Sequence, residues 1–357
     1  MLQHIYTETT EINFSKLEER LVQINRKDLP VSFYKQLTYF FKGMPTLIVA
    51  TGGSIVVAYY LKQLLESKNI ICEVIEPRDY YYKSNISSYY NLIAISNSGT
   101  SNGILDILRN FEGNAILITG EYIMQDQDYE WNYAIDDYVN KFKVIKWGNE
   151  QYLKNKEKSF ISMASTLGPM LMVLETSILL EQLKSSLYKI DIADINAKIK
   201  QLIARSQDKI AKVNYDFKDI NLIQIISGYD TNCSALLLES NIIETGLSSV
   251  VIHDKGDYCH GRSNLSFQNP DSPIIYLTHQ MKKLDEEILM ILKQEYSNIF
   301  LFDTFDEESS KLWKEYYLVL QMYHLSKKIA EDKDIDLTMP EYNQQVVKKL
   351  YRYRGEM

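Results

Sequence analysis

The sequence predicts an α/β protein built on two parallel sheets, each covered by helices on both faces. Three observations carry this expectation. Short apolar, β-branched runs alternate with stretches of helical period, the pattern left by parallel strands buried on both sides. A unit of strand, glycine-containing turn and helix occurs twice, as TLIVATGGS from Thr46 and as IQIISGYDTNCS from Ile223. The chain of 357 residues is about twice the length one domain usually takes.

The elements follow in order. Residues 15–41 are helical, with apolar positions at Leu17, Leu21 and Ile24 and then at Phe33, Leu37 and Phe40, and Pro30 is expected to break them into two helices. The period then changes: Thr46–Ala50 reads as a strand that ends in Thr51-Gly52-Gly53-Ser54 and opens onto a helix over 55–67. Further strands are expected at 72–76, 91–96 and 115–119, with a helix at 103–110 among them. A long helix over 159–187, apolar at Met163, Leu167, Met170, Leu171, Leu174 and Leu180, and a polar one over 191–213 lead into the other half. There the pattern restarts, with strands at 221–227, 249–253, 273–278 and 298–303, a helix at 233–246 and a closing amphipathic helix at 313–329. No Pro/Gly/Ser-rich linker separates the halves, so a helical join is expected. The boundaries drawn are 1–45 for N-terminal helices, 46–190 and 191–335 for the two domains, and 336–357 for a C-terminal tail.

Composition narrows the function. With 45% hydrophobic and 24% charged residues, the chain can fill a core. The net charge is -8, and basic residues cluster only at Lys348, Lys349, Arg352 and Arg354, which argues against nucleic acid as a partner. Cys72, Cys233 and Cys259 lie far apart without metal-ligand spacing, so neither disulfides nor a metal is expected, and a reducing cytoplasmic setting fits best. The N-terminus carries Glu8, Glu11, Glu18 and Glu19 where a signal peptide needs a basic and then an apolar stretch, and no window is apolar enough to span a membrane. The 27 tyrosines read as interface and half-buried packing residues.

Function in open α/β sheets resides in the turns beyond the carboxyl ends of the strands. Ser96-Asn97-Ser98-Gly99-Thr100-Ser101 follows a strand and precedes a helix, so its hydroxyls and free backbone N–H groups form an anion cradle. In Thr51-Gly52-Gly53-Ser54, Gly53 lets the backbone approach a phosphate and Ser54 can donate to it. A single turn of this kind is more often a helix cap with no ligand; two after strands of one sheet, without a P-loop lysine, point to a phosphate monoester. In the second half, Glu244 lies in the helix SALLLESNIIETGL, close to the Gly246 that ends it, and sixteen residues later comes Cys259-His260-Gly261-Arg262 in a polar loop. A helical glutamate is commonly a solvated group and a lone histidine a structural one; the loop setting favours contact with a ligand. Arg262 could pair with a substrate carboxylate or form a salt bridge to Asp254 or Asp257.

These loops, the segment EKSFISMAS and the Glu244 to His260 spacing resemble the double sugar-isomerase (SIS) domain proteins, over about residues 46–349. The similarity is to the isomerase half of glucosamine-6-phosphate synthase, the stand-alone phosphosugar isomerases and the fructosamine-6-phosphate deglycases. The resemblance implies two SIS domains, each a flavodoxin-like parallel sheet flanked by helices, with no cofactor. It implies phosphate binding by Ser54, Ser96, Asn97, Ser98 and Ser101, a sugar contact at Ser162, a base at Glu244 that moves the proton between C1 and C2, and a ring-opening role for His260. In relatives that histidine comes from the neighbouring subunit, so a homodimer or higher with shared active sites is implied, the C-terminal tail packing near the site. The chain departs from the pattern in three places: Asn241 stands where the synthase has a lysine, Arg262 where it has proline, and the C-terminal lysine has no secure counterpart, Gln345 and Lys348 lying nearby. The short stretch before the first strand leaves no amidotransferase domain here, so glutamine-dependent synthesis is not expected. Aldose-ketose isomerisation, deglycation and non-catalytic sugar-phosphate sensing remain the readings.

Overall fold

The computed structural model describes residues 8–24, 28–40, 43–83, 90–99, 101–120, 142–182, 191–307 and 309–340. They fall into two compact units, one drawn from 16–157 and 163–196, the other from 8–15, 158–162 and 197–340. In chain order α1 (Thr10–Ser15) belongs to the second unit. The first unit runs α2 (Leu17–Ile24), α3 (Asp28–Phe40), β1 (Thr46–Ala50), α4 (Ser54–Ser67), β2 (Cys72–Ile75), α5 (Pro77–Tyr82), β3 (Asn91–Ile95), α6 (Asn102–Asn110), β4 (Ala115–Thr119), β5 (Lys143–Lys146), α7 (Glu150–Lys154) and α8 (Ala164–Gln182). Then α9 (Ile192–Ala211) leads into β6 (Leu222–Ser227), α10 (Asn232–Glu244), β7 (Ser249–Asp254), α11 (Lys255–Asp257), a π-turn at Tyr258–Arg262, α12 (Asn264–Gln268), β8 (Ile274–Thr278), α13 (Lys283–Glu295), β9 (Ile299–Asp303) and α14 (Lys311–Asp332).

Sheet A, in the first unit, has the order β2-β1-β3-β4-β5 and is parallel throughout. Its three central strands are buried at every residue, as β-branched runs with no polar alternation require. Because successive side chains face opposite ways, Leu47, Val49, Leu92, Ala94 and Leu117 share one face and pack on Ile104, Ile107 and Leu108 of α6. Register pairs Ala50 with Ile95, so β1 and β3 end level and the turns that follow them start side by side.

Three details differ from the sequence expectation. Pro30 does not break a helix; it sits in the first turn of α3, where its missing N–H would have had no partner anyway. Helix α8 begins at Ala164, not near residue 159, because the buried Glu157 carboxylate accepts the N–H groups of Met163 at 3.1 Å and Ala164 at 2.9 Å and so caps it; Arg20 Nη1 lies 3.8 Å from the same carboxylate. The edge strand β5, KVIK, is too short and too basic to announce itself by pattern, and its edge lysines suit an unpaired border.

Sheet B, in the second unit, has the order β7-β6-β8-β9 and is also parallel. Helix α14 is buried along most of its length and packs on α10, with Asn241 Nδ2 donating to Ser326 Oγ at 3.2 Å. Matching the strand orders aligns β6 with β1, β7 with β2, β8 with β3 and β9 with β4. Among the described residues no helix is long and apolar enough to cross a membrane, and no group of three or more His, Cys, Asp or Glu side chains is placed to hold a metal ion.

Candidate functional site

In sheet A the connection from β1 runs to β2 on one side while β3 lies on the other, so the strand order reverses between β1 and β3. A crevice at such a point is where open α/β sheets take ligands. Two turns line it. After β1, Gly52 adopts φ +55°, a left-handed conformation that glycine takes without strain, and its carbonyl accepts Ile55 N–H at 3.0 Å. That turn delivers Gly53 as the N-cap of α4 and Ser54 as its first residue, half-buried beside an exposed Gly53. After β3, Ser96 is buried and receives Gly99 N–H on its carbonyl at 3.2 Å; Gly99 has φ +65°, and Ser101 is the N-cap of α6.

Neither helix has a side-chain N-cap hydrogen bond or an acidic residue in its first turn. Among the described residues no carboxylate is recorded at either N-terminus, and the first turns of both helices aim their positive ends at the crevice. Ser54, Ser96, Asn97, Ser98 and Ser101 all lie in these two turns, with Ser98 exposed and Asn97 half-buried. Thr100 falls outside the described residues.

One participant has no counterpart in the sequence expectation. Gly120 follows β4 directly; its N–H donates to the Asn97 carbonyl at 2.9 Å, and Thr119 Oγ1 approaches the same carbonyl at 3.3 Å. A Cβ on Gly120 would sit 2.6 Å from Asn97 Oδ1 and 2.5 Å from the Trp147 ring. Gly120 thus seats the Asn97 loop against the end of β4. The available signal was a glycine at the same place after its strand as Ser96 holds after β3.

The two candidate proton-transfer residues lie in the second unit and far apart within it. Helix α10 runs antiparallel to the strands, so Glu244, its last residue, lies at their amino ends, exposed, with Ser240 Oγ donating to Oε1 at 2.6 Å. His260 lies beyond the carboxyl end of β7, exposed, in the π-turn where Gly261 takes φ +107°. The six residues of β7 separate the two positions, a span of about 16 Å. One chain does not bring Glu244 and His260 into one site. Burial, reinforced by the charge of Glu244, raises the carboxyl of Glu239 above its ordinary value.

Arg262 is exposed and reaches Asp257 at 3.9 Å, an ion pair with little hold on either side chain. Asn241, where the synthase has lysine, is buried and bonded to α14, so its amide is taken up within the helix pair. Ser162 is half-buried in the 158–162 segment of the second unit, its carbonyl 3.4 Å from Tyr323 Oη. Lys348 lies outside the described residues.

No family model matches the sequence, and no curated protein is similar to it. Solved structures are similar in fold. The C-terminal domain of glucosamine-fructose-6-phosphate aminotransferase from Francisella tularensis superposes with a TM-score of 0.65 at 15% identity, covering 94% of this chain and 99% of that one. Tagatose-6-phosphate ketose/aldose isomerase from Escherichia coli gives 0.64 at 11% identity over 94% and 95%. Glucosamine-6-phosphate deaminase from Thermotoga maritima gives 0.58 at 16% identity over 91% and 98%. Two parallel helix-flanked sheets and these end-to-end superpositions give the chain the fold of the double sugar-isomerase domain proteins.

Proposed function

We propose that the protein acts on a phosphorylated sugar or amino sugar by proton transfer between C1 and C2, as an aldose-ketose isomerase or a fructosamine-6-phosphate deglycase. The observation that carries the reading is the pair of uncapped helix N-termini behind hydroxyl-bearing turns at the strand-order reversal of sheet A. A phosphate there would meet backbone N–H groups of α4 and α6 together with Ser54, Ser98 and Ser101. The names of the fold neighbours, which handle 6-phosphates, support the same substrate class.

Glu244 is assigned the base. It would take a proton from one carbon and return it to the next, leaving its own charge unchanged over the cycle. Being exposed in the single chain, it needs cover from substrate or a second copy to become an effective base. His260 is assigned ring opening, and its separation from Glu244 along β7 supports an assembly of at least two chains in which one supplies Glu244 and another His260. Ser162, and Lys348 in the tail, are proposed sugar contacts. Arg262, held only by an exposed ion pair, could turn to a substrate carboxylate such as that of an amino-acid conjugate.

A second reading, a sugar-phosphate sensor without turnover, is favoured by one observation: Asn241, at the synthase's lysine position, faces α14. The deciding experiment is a thermal-shift screen of hexose, hexosamine and fructosamine 6-phosphates, followed by NMR in heavy water. Deuterium entering C1 or C2 of a ligand supports the enzyme; binding with no incorporation over hours leaves the sensor.

A further inference from the structure

The two sheets are built alike, yet the helix N-termini at the second crevice carry carboxylates. In sheet B the strand order reverses between β6 and β8, the counterparts of β1 and β3. Helix α10, which follows β6, points its N-terminus at Glu315 from the first turns of α14. Glu315 is fully buried, and its Oε1 accepts Ser234 N–H at 2.8 Å and Ser234 Oγ at 3.0 Å. His279, the first residue after β8 and so placed as Ser96 is after β3, lies with Nε2 2.9 Å from Glu315 Oε2. That Nε2 also meets the Asp230 carbonyl at 2.9 Å, and Nδ1 meets Thr304 Oγ1 at 3.1 Å. Both neighbours of Nε2 are acceptors, so the proton sits on that nitrogen. Burial and the adjacent Glu315 hold the Cys233 thiol well above its ordinary range. The helix after β8, α13, is treated in the same way: Lys282 N–H donates to Asp285 Oδ2 at 2.9 Å, and Lys255 Nζ lies 2.6 Å from Oδ1.

We infer that the crevice at the carboxyl ends of β6 and β8 is a second oxyanion cradle whose resident anion is the chain's own Glu315 carboxylate. Ser234 N–H and Ser234 Oγ are the donors to Oε1, and His279 Nε2, whose hydrogen bond goes to the Asp230 carbonyl, lies beside Oε2 at 2.9 Å; they stand where the N-termini of α4 and α6 stand in sheet A. Sheet B accordingly takes no phosphate from outside, and removal of the carboxylate opens it to a small oxyanion. The comparison with sheet A rests on the phosphate reading proposed above; the assignment at Glu315 does not.

The test uses the full chain in a Ser54→Ala/Ser98→Ala background, which weakens sheet A by removing two of its hydroxyls. Glu315→Ala and Glu315→Gln are melted with formate, inorganic phosphate or chloride at matched ionic strength. Glu315→Ala should melt at least about 5 °C lower than its parent, and formate or phosphate at millimolar concentration should restore much of the loss saturably, whereas chloride should not. Glu315→Gln, which fills the space without charge, should show no such rescue. Equal response of the two variants, or no oxyanion-specific response of Glu315→Ala, overturns the inference. Calorimetry of the parent background with phosphate provides a second arm should Glu315→Ala not fold: no phosphate binding that a further Ser234→Ala weakens is expected, and such binding would mean that the cradle is open and Glu315 is not its anion. Failure of wild type to bind any sugar phosphate would instead strike the proposed function and leave the rescue result standing.

Discussion

Sheets A and B are two versions of one design that handle the same electrostatic problem in opposite ways. Each aims helix N-termini at the crevice where its strand order reverses, and each N-terminus carries partial positive charge and unpaired N–H groups. Sheet A leaves them uncapped behind Ser54, Ser98 and Ser101. Sheet B closes them with Glu315 and Asp285. Although burial opposes it, the pairing of Asp285 with Lys255, Tyr276 Oη and Lys282 N–H keeps its carboxyl below the ordinary range. The contrast teaches that a repeat unit can keep its fold while the charge at its crevice changes: one copy turns hydroxyl-bearing turns to its helix N-termini, the other carboxylates of its own chain.

The largest expected effect separates the two units by pH. In the first, burial pushes the Glu175 carboxyl up to about 8, and no hydrogen-bond partner for Oε1 is present among the described residues. A raised carboxyl stays protonated in the native state while the unfolded chain ionises, so this unit loses stability as pH rises from about 4.5 to about 8. In the second, burial and then Lys327 lower His324 to about 4, so stability is lost as pH falls from about 6.5 toward 4. Glu175→Gln should gain about 3 to 5 kcal/mol over wild type at pH 8 and little at pH 4.5, and His324→Phe about 2 to 3 kcal/mol at pH 4 and little at pH 7. Urea unfolding across pH checks both, and parallel curves for variant and parent would erase this difference between the units.

Next comes the open cradle. Ser54→Ala with Ser98→Ala should weaken sugar-phosphate binding by about 2 to 4 kcal/mol while leaving the fold intact; calorimetry reads it, and unchanged affinity would remove sheet A from the site. Of similar size, Glu244→Gln should lower turnover at least about a hundredfold with little change in binding. Steady-state kinetics with the substrate found by screening measures this, and full activity would move the base elsewhere. The smallest effect belongs to the closed cradle: Ser234→Ala should cost about 1 to 2 kcal/mol of stability by removing one donor to a buried carboxylate, with sugar-phosphate affinity unaltered. A drop in affinity instead would show that the two crevices do not divide their work in this way.

Much of this was open to reading along the chain because parallel strands buried on both faces leave unbroken apolar runs. Thr46–Ala50, Asn91–Ile95 and Ala115–Thr119 are such runs, and the glycine and hydroxyl residues that follow them mark the turns. Where local signals were weak, the pattern misled. Glu157 moved the start of α8 by capping it from a distance, and the four-residue β5 is a strand only because β4 pairs with it. The role of Gly120 is not marked by its neighbours along the chain, because the space it leaves is filled by Trp147 and Asn97, both distant in sequence.

By itself the sequence determined the two-sheet α/β architecture, the repeat, and the turns that could take a phosphate, since all of these rest on period, composition and glycine placement within a few residues of each other. Only the tertiary structure decided which helix N-termini stay open, that Asn241 faces Ser326, that Glu315 fills the second cradle, and that Glu244 and His260 lie at opposite ends of β7. Each of these depends on which side chain from a remote element arrives at a given backbone group, and that is fixed by packing across the fold, not by any neighbour along the chain.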